Sequence, residues 1–266
     1  MNDVYVDVLT LRAVFDINNL DTEQIHNITL IDIAKNKLNL MKQIRKQVNE
    51  LNIIKLDITN TTAIPNKVTT LNIYDCDKIT ELYIYFNDAI KLHIQQCKNL
   101  KDLYYLPYGL KTLHINYCDM INLSSINAPI ESLQLIGCND VSIEELQIKS
   151  LKRLYIENCK SITSVDNLQY MQNLQSIILI QSNITKLTNI PKTTKLLYVE
   201  NCEDLTLINN LPELEELFII NCTNLNTYIR LPPSLKYLYY VGKHKIFGTT
   251  NQIEEVDIST DMNYII

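Results

Sequence analysis

The sequence predicts a mainly β solenoid with a small α-helical N-terminal cap. Three observations carry this. A nine-residue phrase, typified by LKRLYIENC at Leu151–Cys159, recurs along most of the chain. The copies follow one another at steps of mostly 20 or 21 residues, with one step of 23 and shorter ones of 15 and 18 at the two ends. Periods in this range belong to solenoids, whose units bury their apolar sides only against their neighbours. Within the phrase, positions 4 and 6 are apolar with a variable residue between, which is the period of a strand.

The clear copies are VTTLNIYDC (Val68–Cys76), AIKLHIQQC (Ala89–Cys97), LKTLHINYC (Leu110–Cys118), IESLQLIGC (Ile130–Cys138), TKLLYVENC (Thr194–Cys202) and LEELFIINC (Leu214–Cys222). LQSIILIQS (Leu174–Ser182) and LKYLYYVGK (Leu235–Lys243) keep the frame without the Cys. IIKLDITNT (Ile53–Thr61) and IEEVDISTD (Ile253–Asp261) read as weaker copies at the two ends. An apolar residue follows three places after each Cys, from Ile79 to Leu225. Every Pro in the chain stands in a return segment shortly before a phrase opens. Proline there blocks helix and favours extended or turn-like backbone.

Residues 1–50 read differently. Val4, Val8, Leu11 and Phe15 fall at helical spacing, Asp21 and Gln24 read as a helix start ahead of Ile25 and Ile28, and Leu40, Met41, Ile44 and Val48 mark a third helix. The expected organisation is therefore a helical N-terminal segment, 1–50, followed by a repeat body, 51–266, of about 10–11 units. The segment is expected to cap the open end of the solenoid.

The phrase and its spacing resemble the leucine-rich repeat family, whose unit is LxxLxLxx followed by Asn or Cys. The resemblance covers about four fifths of the chain. It implies a curved solenoid with a parallel sheet on its concave side, and the Pro-bearing returns imply an extended, turn-like convex side. It also implies that the Cys is a structural residue turned inward. The segment VDVLTLRAVFDINNLDTEQIHNITLIDIAKNKL resembles an F-box in layout, without the usual opening Leu-Pro and late Trp. LQYMQNLQSIILIQSNITKL (Leu168–Leu187) is locally similar to the units of phosphatase-regulator repeat proteins.

Composition narrows the function. The net charge of −6 argues against a nucleic-acid partner, which needs a basic face. The N-terminus lacks the basic start and apolar run of a signal peptide, and no apolar run is long enough to span a membrane. An odd number of Cys, seven, with no CxxC pair, reads as a reducing cytosol or nucleus. No phosphate loop, metalloprotease motif or nucleophile elbow is present, so neither enzyme chemistry nor a cofactor is expected. A linear column of Cys does not converge as zinc ligands must. His93 and His114, at one position of adjacent units, read as a polar surface pair rather than a metal site.

The informative column is the fifth position, expected to point out of the concave sheet. In order it reads Asp57, Asn72, His93, His114, Gln134, Tyr155, Ile178, Tyr198, Phe218, Tyr239 and Asp257. The seventh position adds Ile136, Ile180, Ile220 and Val241, with Glu157 and Glu200 between them; these two acids and Glu216 are expected to meet a basic rim on a partner. A patch of Tyr155, Ile178, Ile180, Tyr198, Phe218, Ile220, Tyr239 and Val241 is expected to bind a protein or peptide, because aromatic residues are the usual anchors of interfaces. Self-association through the same patch is an alternative. The F-box resemblance implies a ubiquitin-ligase substrate adaptor, and the other local resemblance a phosphatase regulator.

Overall fold

The alternation within the phrase becomes a strand with one buried edge. The computed structural model describes residues 8–12, 27–31, 48–55, 64, 67–84, 88–226, 228–242, 246–247 and 254–257. In the central copy Leu154 and Ile156 are buried while Tyr155 and Glu157 on either side of Ile156 are only half-buried. The chain forms two compact units, Met1–Ile130 and Glu131–Ile266.

The first unit holds, among its described residues, β1 (Val8–Arg12), β2 (Asn27–Ile31), β3 (Val48–Ile54), β4 (Val68–Tyr74), β5 (Glu81–Tyr83), β6 (Lys91–Gln95), β7 (Asp102–Tyr105) and β8 (Thr112–Asn116). Strands β1, β2, β3, β4, β6 and β8 pair in that order as a parallel sheet. The short β5 and β7 pair on the return side.

The second unit holds β9 (Ser132–Ile136), β10 (Arg153–Glu157), β11 (Ser176–Ile180), β12 (Lys186–Leu187), β13 (Leu196–Glu200), β14 (Leu207–Ile208), β15 (Glu216–Ile220), β16 (Ile229–Arg230), β17 (Tyr237–Val241), β18 (Ile246–Phe247) and β19 (Glu254–Asp257). Strands β9, β10, β11, β13, β15, β17 and β19 form its parallel sheet. Strands β12 with β14, and β16 with β18, are short pairs on the return side. Each unit is thus a parallel β-solenoid, the fold class expected from the repeat. Among the described residues there is no α-helix; the returns are turns, short strand pairs and two 3-10 turns, Leu123–Ser125 and Asp166–Tyr170.

The core of each unit lies between sheet and returns. Position 1 supplies Leu151 and Leu214, position 4 Leu154 and Leu217, position 6 Ile156 and Ile219, and the residue after the bend Ile162 and Leu225, all buried. The prolines open the units. The carbonyls of Pro107, Pro191, Pro212 and Pro232 accept hydrogen bonds from the N–H of Leu110, Thr194, Leu214 and Leu235, the last at 3.2 Å. Pro suits such turns because its φ is already fixed.

The strands correct two expectations. Val8 and Leu11, Ile28, and Val48 were expected on helices; they lie on β1, β2 and β3. The segments LTL and ITL alternate with period 2 inside the helical spacing, and pairing along the edge of β3 decides between the two periods. The F-box-like layout loses its helices at those two positions. The rest of the expected cap, and the third helix before Val48, lie outside the described residues.

The second correction is one of frame. Asn52, not Asp57, pairs with Asn72, so the first phrase of the expected body reads VNELNIIKL from Val48. The step of 15 residues disappears, since Val48 to Val68 is 20. At the other end Tyr239 pairs with Val256, and Asp257 pairs with Tyr240, so Asp257 does not occupy the fifth position.

Nine phrases end in the same bend. Position 8 sits in the left-handed region in Lys55, Asp75, Gln96, Tyr117, Gly137, Asn158, Gln181, Asn201 and Asn221, with φ between 49° and 62°. In all of these but Tyr117 its N–H donates to the position-7 carbonyl of the following repeat, as in Asn158 to Ile180 at 2.9 Å. The following Cys turns inward. The thiols of Cys76, Cys118 and Cys159 donate to the carbonyl two residues back at 3.2, 3.3 and 3.4 Å, and the Ser182 hydroxyl does the same at 3.0 Å. All seven Cys are buried and unbridged.

Left-handed backbone costs an L-residue roughly 1–2 kcal/mol, least for Asn and Gly and most for β-branched side chains. Asn158→Ile is therefore expected to destabilise by about 1–2 kcal/mol, and Asn158→Gly to stay within about 0.5 kcal/mol of the parent. Equilibrium urea unfolding measures both; equal loss in the two variants would refute the bend as the cause.

Candidate functional site

Alternation sends positions 3, 5 and 7 to the outward side of each sheet, and parallel pairing stacks them into rows. In the second unit the fifth-position row runs Gln134, Tyr155, Ile178, Tyr198, Phe218, Tyr239. The seventh-position row beside it runs Ile136, Glu157, Ile180, Glu200, Ile220, Val241. The eight residues expected to bind a partner all lie in these two rows, and all eight are half-buried. They are not one unbroken aromatic stack. Tyr155 is separated from Tyr198 by Ile178, whereas Tyr198, Phe218 and Tyr239 are consecutive. Their ring centroids are 5.4 Å apart for Tyr198 and Phe218 and 6.2 Å for Phe218 and Tyr239, tilted 34° and 35°.

The acidic members of the seventh row are tied to the rings. The Tyr155 hydroxyl donates to Glu157 Oε2 at 2.5 Å, and the Tyr198 hydroxyl to Glu200 Oε2 at 2.6 Å. Burial, then the bond to Glu157 and its charge, push the Tyr155 hydroxyl up to about 12. Tyr198 is raised further by burial and by Glu200. A Tyr and a Glu two residues apart on a strand face the same way, so this pairing is readable in YxE once the strand is placed.

Sequence reasoning singled out Glu216 but missed the rest of its third-position row: Ser132, Arg153, Ser176, Leu196 and Tyr237. Tyr237 is 56% exposed beside this face. Also missed was the second-position row of alternating charge. Lys152 pairs with Glu131 at 2.8 Å, and Glu215 lies between Lys195 and Lys236 at 3.4 and 2.6 Å. The signal was present as opposite charges one unit apart. These pairs are exposed, where each is worth little.

The outward face of the first unit has different chemistry. Asn52 donates to the Thr29 hydroxyl at 3.2 Å, and Asn72 donates to Asn52 Oδ1 and Glu50 Oε1 at 2.8 and 2.9 Å. His93 and His114 are register partners with rings 6.0 Å apart, as the sequence implied. His93 Nε2 lies 2.9 Å from Asn116 Nδ2, and Nδ1 lies 3.4 Å from the Tyr74 hydroxyl. Burial and then the neighbouring His114 lower the affinity of His93 for a proton; burial and then Lys91 do so for His114. This face is a hydrogen-bonded polar network.

Among the described residues no group of three or more His, Cys, Asp or Glu is placed to hold a metal ion. Among them, too, no helix is long and apolar enough to cross a membrane.

No family model and no curated protein matches the chain. Among solved structures the fold is similar to the plant peptide hormone receptor RGFR1 in complex with RGF2, at 16% identity and a TM-score of 0.36. The alignment covers 91% of this chain and 50% of that one, so the chain spans about half the length of the receptor chain it matches.

The tyrosines give a pH prediction. Tyr155 ionises later in the folded chain than its ordinary value of 10.0. Its contribution to stability is therefore complete below about pH 10 and is lost as pH rises towards about 12. Denaturation midpoints measured across that range should fall, and Tyr155→Phe should flatten the fall. An unchanged slope in the variant would show that the Glu157 contact does not shift this hydroxyl.

Proposed function

We propose that the protein is a non-enzymatic recognition scaffold that binds a protein or peptide segment on the outward sheet face of its second unit. The observation supporting this is the pair of adjacent rows from Tyr155 to Tyr239 and from Ile180 to Val241. Eight apolar or aromatic side chains lie there half-buried, on a face that no described segment of the unit covers. Glu157 and Glu200 within the rows select a partner with basic groups beside its apolar ones. Self-association through this face is the competing occupant. The ubiquitin-ligase adaptor reading is not favoured, because β1 and β2 stand where its helices were expected. The phosphatase-regulator reading has only its local resemblance. A reducing compartment, cytosol or nucleus, belongs to this proposal and rests on the odd number of Cys without a CxxC pair.

Two neighbouring residues test it. Phe218 lies in the outward row against Tyr198 and Tyr239, and Leu217 beside it is fully buried. Phe218→Ala should cost about 0.5–1.5 kcal/mol of stability from the lost ring contacts. It should also weaken a partner obtained by affinity capture with the intact chain by about 2 kcal/mol or more. Leu217→Ala should destabilise by roughly 2–5 kcal/mol through the cavity it leaves, with affinity per folded molecule preserved. Denaturant midpoints and calorimetric titration separate the two effects. Unchanged affinity in folded Phe218→Ala would sink the proposal.

A further inference from the structure

The return side of the first unit carries a second aromatic surface. Tyr83 on β5 and Tyr105 on β7 are register partners, with rings 4.6 Å apart and inclined by 20°. The Tyr104 ring meets Tyr105 edge-on at 6.5 Å. Tyr83, Tyr104 and Tyr105 are 36%, 48% and 45% exposed, unlike the half-buried Tyr155, Tyr198, Phe218 and Tyr239 of the second unit. Glu81 and Asp102 are also register partners on the same two strands. The Tyr83 hydroxyl donates to the Glu81 carboxylate, and Asn122 Nδ2 donates to Asp102 Oδ1 at 3.4 Å.

Two like charges on facing strand positions repel each other. Among the described residues the ion pairs lie elsewhere, and no cationic nitrogen is paired with Glu81 or Asp102. Exposed stacked rings beside two carboxylates that lack a counter-cation complement one kind of group: a flat cation.

We propose that this patch receives an arginine side chain from a basic segment of a partner protein. A guanidinium stacks on an aromatic ring and forks its N–H donors to carboxylates, which an ammonium cannot do with the same geometry. The chain's net charge of −6 favours the approach of such a segment. This surface is independent of the face on the second unit; either proposal can fail without the other.

The test uses the full chain and a fluorescein-labelled peptide of alternating Arg and Gly, with a Lys-Gly counterpart, read by anisotropy at low salt. Saturable binding of the Arg peptide is expected, weakened about tenfold by Tyr105→Ala and by the isosteric Asp102→Asn. Glu145→Gln, an exposed acid on the second unit, should leave it unchanged. The Lys peptide should bind several-fold more weakly. Circular dichroism confirms that each variant is folded. Unsaturable binding, equal binding of the Lys peptide, or an equal loss in Glu145→Gln would overturn the proposal. So would sedimentation showing a dimer that Tyr105→Ala dissolves, since the occupant would then be a second copy.

Discussion

A strand in this protein stops where one residue enters the left-handed region, and that residue's N–H is handed to the next unit's position-7 carbonyl. The thiol or hydroxyl that follows takes the carbonyl of position 7 in its own unit. The conformation is unfavourable for most side chains found there, Gln96 and Gln181 among them, so it persists because both neighbouring polar groups are satisfied by it. Each bend therefore holds the one beside it. From β3 to β15 the bend determines where each strand of the main sheets ends and, with it, which residues of the next strand stand opposite.

The surfaces follow from that common register. A row is nothing more than one phrase position read from unit to unit, so its chemistry is the chemistry of a column of the sequence. In the first unit the fifth-position column is Asn and His and closes into a hydrogen-bonded network around Asn72 and His93. In the second, after Gln134, it is Tyr, Ile and Phe and becomes an apolar face, with acids held against tyrosine hydroxyls. The same backbone thus carries two faces of opposite character, and the return side of the first unit adds an aromatic group of its own.

Most of the repeat body was legible because Cys marks position 9 and leaves one frame for the strand before it. At the two ends, where the marker is missing, the sequence favours a different frame from the one the sheet adopts. VNELNIIKL has Leu56 at that place, so the sequence alone favours a frame that opens five residues later, at Ile53. At the far end Asp257 was put in the fifth position, although β19 pairs one residue differently. Val8, Leu11 and Ile28 satisfied helical and strand spacing together, and only sheet pairing separates the two. The recognition rows were readable as columns. The degree to which Tyr198, Phe218 and Tyr239 bury one another was not, because ring contact depends on rotamers. The stacked Tyr83 and Tyr105 were not legible either, since the short pair β5 and β7 has no fixed place in the phrase.

The returns and the phrase differ in their tolerance of length. From Leu151 to Leu174 the step is 23 residues, and the 3-10 turn Asp166–Tyr170 lies in that longer return; from Leu174 to Thr194 it is 20. In every pair of described strands from β9 to β17, the facing residues keep the same phrase positions regardless of the step. One residue gained within a strand would turn its outward row inward and its core anchors out. One gained in a return only changes how the chain travels back. Insertions and deletions among related chains are thus permitted on one side of the molecule and forbidden on the other, so the returns are free to diversify in shape while the sheet face diversifies only in side chains.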